Sequence, residues 1–153
     1  MHLPEAFIFD FDGVLSNNSK REHLLHQKNK TIEQCKLEFY EASATDDIYE
    51  DIFLILRSLY FLGYKIIIIT ARSEIYNYLL EEWFFKYDIK RYIFKYFTRS
   101  SDDNSEFDWN VKYKIYKNYI ENKFKVCGVF EDNEDCIEMY RNAFNLPCYL
   151  VKH

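Results

Sequence analysis

The chain has 153 residues, a formal net charge of −5, and a composition that is 48% hydrophobic and 29% charged. A chain of this length can bury one hydrophobic core but not two comfortable ones, so we expect a single domain over residues 1–153. The balanced composition excludes a disordered chain, and the negative charge argues against a protein that coats long nucleic acid through a broad basic face.

Apolar runs of strand length alternate with segments of helical periodicity along the chain. The runs at residues 7–11 and 64–70 are continuous and rich in aromatic or β-branched side chains, which is typical of strands covered on both faces. Further strands are predicted at residues 93–98, 124–130 and 148–151. Helices are predicted to run into Tyr40 and over residues 49–60, 73–87, 108–119 and 133–144.

This alternation predicts an α/β fold, a Rossmann-like three-layer sandwich with a mainly parallel sheet and right-handed crossovers. The polar residues 16–36 are predicted to be a loop followed by a helix, within a small insert at about residues 16–48. Residues 100–106 (SSDDNSE) predict a loop. Asp46 or Asp47 is expected to cap the helix that ends before Gly63, and Asp108 is expected to cap a later helix.

Neither the N-terminal segment nor any apolar run has the pattern of a targeting or membrane-spanning sequence. The four cysteines lack metal-site spacing and a secretory context, so reduced thiols are expected. These features predict an intracellular, cytoplasmic protein without a membrane partner. Aromatic residues make up 20% of the chain, which either supplies a base-stacking surface or, as we favour, a core rich in Phe and Tyr.

Acidic side chains follow two of the predicted strands, where ligands bind in parallel sheets. Asp10 and Asp12 are two residues apart in an extended segment and therefore point the same way. Gly13 lets the backbone N–H groups behind them approach an anion. Glu131 and Asp132 follow another strand. Four converging acidic groups would repel one another, so an oxygen-preferring ion such as Mg²⁺ is implied.

Four segments, in order, resemble the motifs of the haloacid dehalogenase (HAD) superfamily. FIFDFDGVL is similar to the first motif, IIIITAR to the second and VFEDNED to the fourth, while Lys112 fits the third. They span nearly the whole chain, and four ordered motifs are far more specific than a lone DxD. The resemblance implies a HAD-like fold with only a small cap insert.

The resemblance also implies a Mg²⁺-dependent phosphomonoester hydrolase. Asp10 would attack phosphorus to form an aspartyl-phosphate, and Asp12 would protonate the leaving oxygen and then activate water. Thr70 and Lys112 would bind the phosphoryl oxygens. The implied holders of Mg²⁺ are Asp10, the backbone carbonyl of Asp12, and the acidic pair Glu131 and Asp132.

Further residues resemble the 3′-phosphatase domain of bacteriophage-type polynucleotide kinases, which is consistent with a viral origin. Arg21 lies after the first motif, Arg72 follows the second, and Asp108 precedes Lys112 in a DxxxK-like arrangement. The resemblance implies that Arg21 and Arg72 clamp substrate phosphates by bidentate bonds, with Arg99 as a further candidate. Asp108 is expected among the substrate-binding residues, in a position compatible with orienting Lys112. The implied substrate is a phosphorylated nucleic-acid end or a nucleotide, and partner proteins stay undefined.

Three positions depart from the family pattern. Val14 replaces a threonine, Glu131 replaces an aspartate of the fourth motif, and Asn133 replaces an arginine of the viral branch. The chain also has no GxxxxGK[ST] loop, so any kinase activity must reside elsewhere.

Two other functions stay open at this point. One is a nucleoside 5′-monophosphatase or another small-molecule phosphatase, which the net negative charge favours. The other is a catalytically silent HAD scaffold that binds a partner protein or nucleic acid. A small insert instead of a large cap would leave a shallow site, which suits a bulky nucleic-acid end and favours the 3′-phosphatase.

Overall fold

The computed structural model describes residues 2–153. Its seven strands, in chain order, are β1 (Glu5–Phe9), β2 (Ser16–Asn17), β3 (Asp47–Ile48), β4 (Lys65–Ser73), β5 (Lys95–Arg99), β6 (Lys125–Glu131) and β7 (Cys148–Leu150). The α-helices are α1 (Ile32–Glu41), α2 (Glu50–Phe61), α3 (Asn77–Lys86), α4 (Asp108–Ile115) and α5 (Glu134–Phe144). Between residues 2 and 153, no helix combines the length and apolar character needed to cross a bilayer.

Five strands form one sheet in the order β5-β4-β1-β6-β7. Every neighbouring pair in it is parallel, which confirms the predicted mainly parallel α/β sheet. The ends of the strands differ from the predicted ends by a few residues, and β4 continues through Ser73 instead of stopping at Thr70. The predicted helix after Ser73 begins as a 3₁₀ turn, Glu74–Tyr76, and α4 continues into a π-helical turn, Tyr116–Ile120.

The hydrophobic core has two halves, one on each face of the sheet. Along β4, Ile66 and Ile68 join one apolar cluster, whereas Ile67 and Ile69 join the other. This alternation follows from the strand period of two residues and explains why the run is apolar at every position. Helices cover both faces, so the three-layer sandwich predicted from the sequence is confirmed.

Gly63 ends α2 as predicted, but the predicted cap at the start of this helix was wrong. Gly63 follows the C-cap residue with a φ of +97°, a conformation that glycine adopts without a steric cost. The N-cap is Tyr49, which makes no side-chain capping bond. Asp46 does not cap because its carboxylate accepts hydrogen bonds from Arg21, and Asp47 lies in β3.

The insert at residues 16–48 folds into β2, a 3₁₀ segment (Ser19–His26), α1 and β3, with β2 and β3 forming a short antiparallel ribbon. Arg21 is its central anchor, with only 3% of its surface exposed. Its Nε lies 3.0 Å from both Asp46 carboxylate oxygens, and its Nη1 donates to the Phe39 carbonyl at 3.0 Å. The Asp46 carbonyl in turn accepts from Trp83 Nε1 at 3.1 Å, which ties the insert to α3.

Replacing Arg21 by methionine should destabilise the protein strongly. The substitution keeps much of the apolar volume but leaves the buried Asp46 carboxylate without its cation, so we expect the free energy of unfolding to fall by about 3–5 kcal/mol in urea titrations. Lys20→Met is the matched control, because the Lys20–Asp47 pair is exposed (77% and 64% of the side chains) and should contribute little. Equal losses in the two variants would contradict the anchoring role.

Candidate active site

A cavity of about 680 Å³ opens beyond the carboxyl ends of β1, β4 and β6. All six residues predicted to act on the phosphoryl group or the metal line it: Asp10, Asp12, Thr70, Lys112, Glu131 and Asp132. Arg72, Arg99 and Asp108 line it as well, whereas Arg21 lies outside its wall. The strands explain this convergence, because parallel neighbours end at the same edge of the sheet.

Lys112 lies buried between two carboxylates at the floor of the cavity. Its Nζ is 3.0 Å from Asp10 Oδ1 and 2.6 Å from Glu131 Oε2. Burial by itself lowers the pKa of Lys112, but these two carboxylates hold that pKa well above its usual value, so the ammonium stays charged. Lys112 is only 3% exposed, so it is not a solvated surface lysine.

Asp10, Glu131 and Asp132 form an all-oxygen group that suits a divalent cation. One carboxylate oxygen from each lies within 4.8 Å of the others. Burial and the charge of Glu131 raise the pKa of Asp10 to about 8, and burial and the charge of Asp10 raise the pKa of Asp132 to about 7. The three groups thus resist ionising together unless a cation joins them, and hard oxygen donors are what Mg²⁺ prefers.

Glu131, which stands where the family pattern has aspartate, bends back onto the chain that follows it. Its Oε1 accepts from the backbone N–H groups of Asp132 and Asn133 at 3.1 and 3.2 Å. The side chain of Asn133 caps α5, accepting from the backbone N–H of Asp135 at 2.9 Å. Asn133 is therefore the residue whose side chain caps α5, and Glu131 and Asp132 line the cavity.

Gly13 is required by its close approach to Asp132. Its φ is +81°, and a methyl group added there would overlap the Asp132 carboxylate. The backbone beyond Asp12 therefore passes directly over one of the candidate metal ligands. Gly13 itself does not line the cavity, so its expected contact with substrate stays a prediction. Its observed role is to let the backbone pass close to the Asp132 carboxylate.

Two arginines hold the Asp12 carboxylate. Arg72 Nη2 donates to Asp12 Oδ1 at 2.6 Å, and Arg21 Nη2 donates to the same oxygen. Burial raises the pKa of Asp12, but the charges of Arg72 and Arg21 outweigh burial and leave that pKa below its usual value. Arg21 also donates hydrogen bonds to Asp46 and to the Phe39 carbonyl. The predicted clamp of Arg21 on substrate is therefore corrected to a positioning contact with Asp12.

Arg99 and Asp108 form an ion pair in the wall of the cavity. Arg99 donates to the Ala71 and Ser105 carbonyls at 3.0 and 2.9 Å, and its Nη2 lies 3.3 Å from Asp108 Oδ1. Asp108 is the first residue of α4 and not its N-cap, which is Phe107. Asp108 does not pair with Lys112, whose carboxylate partners are Asp10 and Glu131, and its expected part in substrate binding stays a prediction.

Sequence reasoning missed the part of the cavity wall that the insert supplies. Asn18, Lys36 and Tyr40 come from the insert, and Tyr76 comes from the turn before α3. Tyr40 carries no motif signal, and its apolar ring reads as helix core. Only the fold brings these residues to the edge of the sheet.

The family model described as "Polynucleotide kinase PNKP phosphatase domain" matches residues 4–153. A protein of Autographa californica nuclear polyhedrosis virus, assigned as a bifunctional polynucleotide kinase/RNA ligase, is 29% identical over 146 residues. That match covers 92% of this chain but 18% of the viral protein.

Among solved structures, a chain of the Pnkp1/Rnl/Hen1 RNA repair complex superposes with a TM-score of 0.78 at 24% identity, covering 97% of this chain and 42% of that one. A hydrolase from Streptococcus pneumoniae has a TM-score of 0.62 at 16% identity, covering 99% of this chain and 94% of that one. These similarities show the fold. The chain spans less than half of the chain that it matches in the RNA repair complex.

The metal-free protein should lose stability as the pH rises from about 4 to about 8. Folding raises the pKa of Asp10 from 3.8 to about 8 and that of Asp132 from 3.8 to about 7, so the folded state binds more protons in this range. Asp12, with its lowered pKa, acts with the opposite sign and only at more acidic pH. The rise in Tm with Mg²⁺ over EDTA should therefore be larger near pH 8 than near pH 5.5. Taking the difference in Tm between Mg²⁺ and EDTA at each pH removes the effect of groups that titrate elsewhere. An equal rise in Tm at pH 8 and pH 5.5 would contradict the proposed metal site.

Gly13→Ala and Gly63→Ala are a matched pair, because both glycines have a positive φ. An added methyl at Gly63 meets no atom within 4 Å, whereas at Gly13 it overlaps Asp132. Each variant should lose about 1–2 kcal/mol of stability from its backbone conformation. Only Gly13→Ala should also lose the Mg²⁺-dependent rise in Tm, and retention of that rise would contradict the close approach.

Proposed function

Because this chain belongs to the polynucleotide kinase phosphatase domain family and is a phosphoric monoester hydrolase of the HAD type, we propose that it removes a 3′-phosphate from a polynucleotide end or a nucleotide. The proposed route uses Mg²⁺ and an aspartyl-phosphate on Asp10. The observation that carries this proposal is the placing of Asp10 and Asp12 in one cavity, the first against Lys112 and the second against two arginines.

The surroundings of Asp10 suit a nucleophile that works on a dianion. Lys112 uses two of its three N–H bonds on Asp10 and Glu131, which leaves one to donate to a phosphoryl oxygen. The Thr70 hydroxyl oxygen accepts from the Arg72 backbone N–H at 3.2 Å, so its own hydrogen is free to donate to another phosphoryl oxygen. These two donors would stabilise the negative charge of the transferring group.

The metal fits this site through Asp10 and Asp132, with Glu131 in the same cluster, and with the backbone carbonyl of Asp12 as the family pattern implies. When bound, Mg²⁺ would offset the charge of the phosphoryl oxygens and favour the ionised form of Asp10. Glu131 already accepts from Lys112 and two backbone N–H groups. Its proposed part is therefore chiefly to hold Lys112 and to add negative charge beside the metal.

The proposed role of Asp12 is to serve the hydrolysis of the intermediate. The arginines keep its carboxylate ionised, which is the form that takes a proton from water as the water attacks the aspartyl-phosphate. Both guanidinium groups also fix its orientation, because Arg72 is only 1% and Arg21 only 3% exposed.

The nucleic-acid substrate is proposed from the family and from the shape of the cavity. The viral relative carries polynucleotide kinase in its name, and the similar solved chain comes from the Pnkp1/Rnl/Hen1 RNA repair complex. A cavity of about 680 Å³ beside a small insert has room for a nucleotide at a chain end. The decisive measurement is a panel of DNA and RNA oligonucleotides with a 3′- or a 5′-phosphate, together with the mononucleotides. A preference for 5′-monophosphates would replace the proposal by its small-molecule alternative.

Asp10→Asn should abolish turnover while the fold is retained, because an amide keeps the shape of the carboxylate but is not an anionic nucleophile. Hydrolysis of a 3′-phosphorylated oligonucleotide should fall at least about a thousandfold. Asp102→Asn, in the exposed loop before α4, is the control and should keep full activity.

Beryllofluoride with Mg²⁺ should raise the Tm of the wild type but not of Asp10→Asn. A tenth of the activity surviving in Asp10→Asn would rule out the aspartyl-phosphate.

A further inference from the structure

The insert places one aromatic side chain, Tyr40, directly beside the residues that surround Asp12. Tyr40 lies near the end of α1 and lines the cavity. Its backbone is fixed to the site through Ser43, whose Oγ donates to the Tyr40 carbonyl at 2.6 Å and accepts from Arg72 Nη1 at 3.1 Å. The position of Tyr40 is therefore coupled to the same arginine that holds Asp12.

The ring of Tyr40 packs against two other side chains, Tyr76 and Arg72. Tyr76 packs against it with ring centroids 4.9 Å apart, and the guanidinium carbon of Arg72 lies 5.1 Å from its centroid. A ring packed in this way loses little further freedom when it binds a ligand, which is why rigid aromatic side chains are efficient contact residues.

The Tyr40 hydroxyl is a donor without a partner. Among the described residues 2–153, none forms a hydrogen bond with it. Burial, together with the negative charges of Asp12 and Asp108, raises the pKa of Tyr40 to about 12, so the hydroxyl keeps its proton. Tyr40 lines the cavity together with Asp12 and Asp108.

The chemistry of the site decides which part of a substrate reaches this hydroxyl. Asp10, Thr70 and Lys112 surround the place of the transferring phosphoryl group, and Asp12 must lie on the side of the leaving oxygen to exchange a proton with it. The Tyr40 ring lies against the guanidinium of Arg72, whose Nη2 donates to Asp12, and is therefore on that same side. The group attached to the leaving oxygen therefore falls against Tyr40.

We propose that Tyr40 is a specificity residue that binds the nucleoside carrying the scissile phosphate. Its hydroxyl donates a hydrogen bond to an oxygen or nitrogen acceptor of that nucleoside, and its ring packs against the sugar or base. This inference rests on the phosphatase function proposed above and assigns the leaving-group side of the same site to the insert.

The test compares two substrates that differ in the leaving group, a 3′-phosphorylated trinucleotide and acetyl phosphate, which has no nucleoside. Tyr40→Ala should lower kcat/KM for the trinucleotide roughly ten- to hundredfold, mainly through KM, because aromatic contacts with bases contribute at this level. Its activity on acetyl phosphate should change less than about twofold. Tyr40→Phe, which lacks only the hydroxyl, should lose about two- to tenfold on the trinucleotide alone. Tyr78→Ala is the control, since Tyr78 lies outside the cavity wall and is 54% exposed.

Equal losses of Tyr40→Ala on both substrates would overturn the inference in favour of a structural role, and no loss on the trinucleotide would overturn it outright. Failure of the proposed function gives a different pattern, because the wild type itself would then prefer a 5′-phosphate. In that case the same comparison is made with the best nucleotide substrate of the wild type. If no nucleotide is hydrolysed while acetyl phosphate is, both the proposed function and this inference are overturned.

Discussion

Buried negative charge at the ends of β1 and β6 is the constraint to which the surrounding elements respond. Glu131 is balanced by Lys112 and by two backbone N–H groups. Asp10 pairs with the same lysine. Helix α4 must therefore pack against the sheet at a position from which Lys112 reaches the ends of both β1 and β6. Asp132 has no cation of its own in the described ion pairs of residues 2–153, and burial raises its pKa to about 7. The pocket thus holds more carboxylates than positively charged side chains. Such an excess of negative charge favours the binding of a metal cation.

The insert is fastened by the residues that also hold Asp12. Arg21 joins Asp12 to Asp46, and Arg72 joins Asp12 to Ser43. Each guanidinium therefore serves the fold of the insert and the orientation of the carboxylate at once. A displacement of the insert would disturb the charge and direction of Asp12, so the proposed recognition by the insert and the proposed proton transfer at Asp12 depend on the same two arginines. Such shared contacts give buried polar networks a large effect on structure when one member is lost.

The sequence predicted what depends on local pattern and missed what depends on distant pairing. Asp10, Thr70 and Glu131 line the cavity as predicted, because each comes at the end of an apolar run that is visible in the sequence. Arg21 was expected to clamp substrate phosphates, and nothing local reveals that Asp46, 25 residues further on, pairs with it inside the insert. The predicted capping role of Asp46 failed for the same reason. Tyr40 lies in a helix whose direction over the site is set by tertiary contacts.

The state of Asp12 links substrate binding to proton transfer in the proposed mechanism. Without substrate, Arg21 and Arg72 favour its ionised form, which suits the water-activating step but not the protonation of a leaving oxygen. A phosphate dianion bound against Lys112 would add negative charge to the cavity that Asp12 also lines. A like charge nearby raises the pKa of a carboxyl group. Substrate binding therefore favours uptake of the proton that the leaving oxygen needs, and departure of the leaving group returns Asp12 to the ionised form that the next step requires.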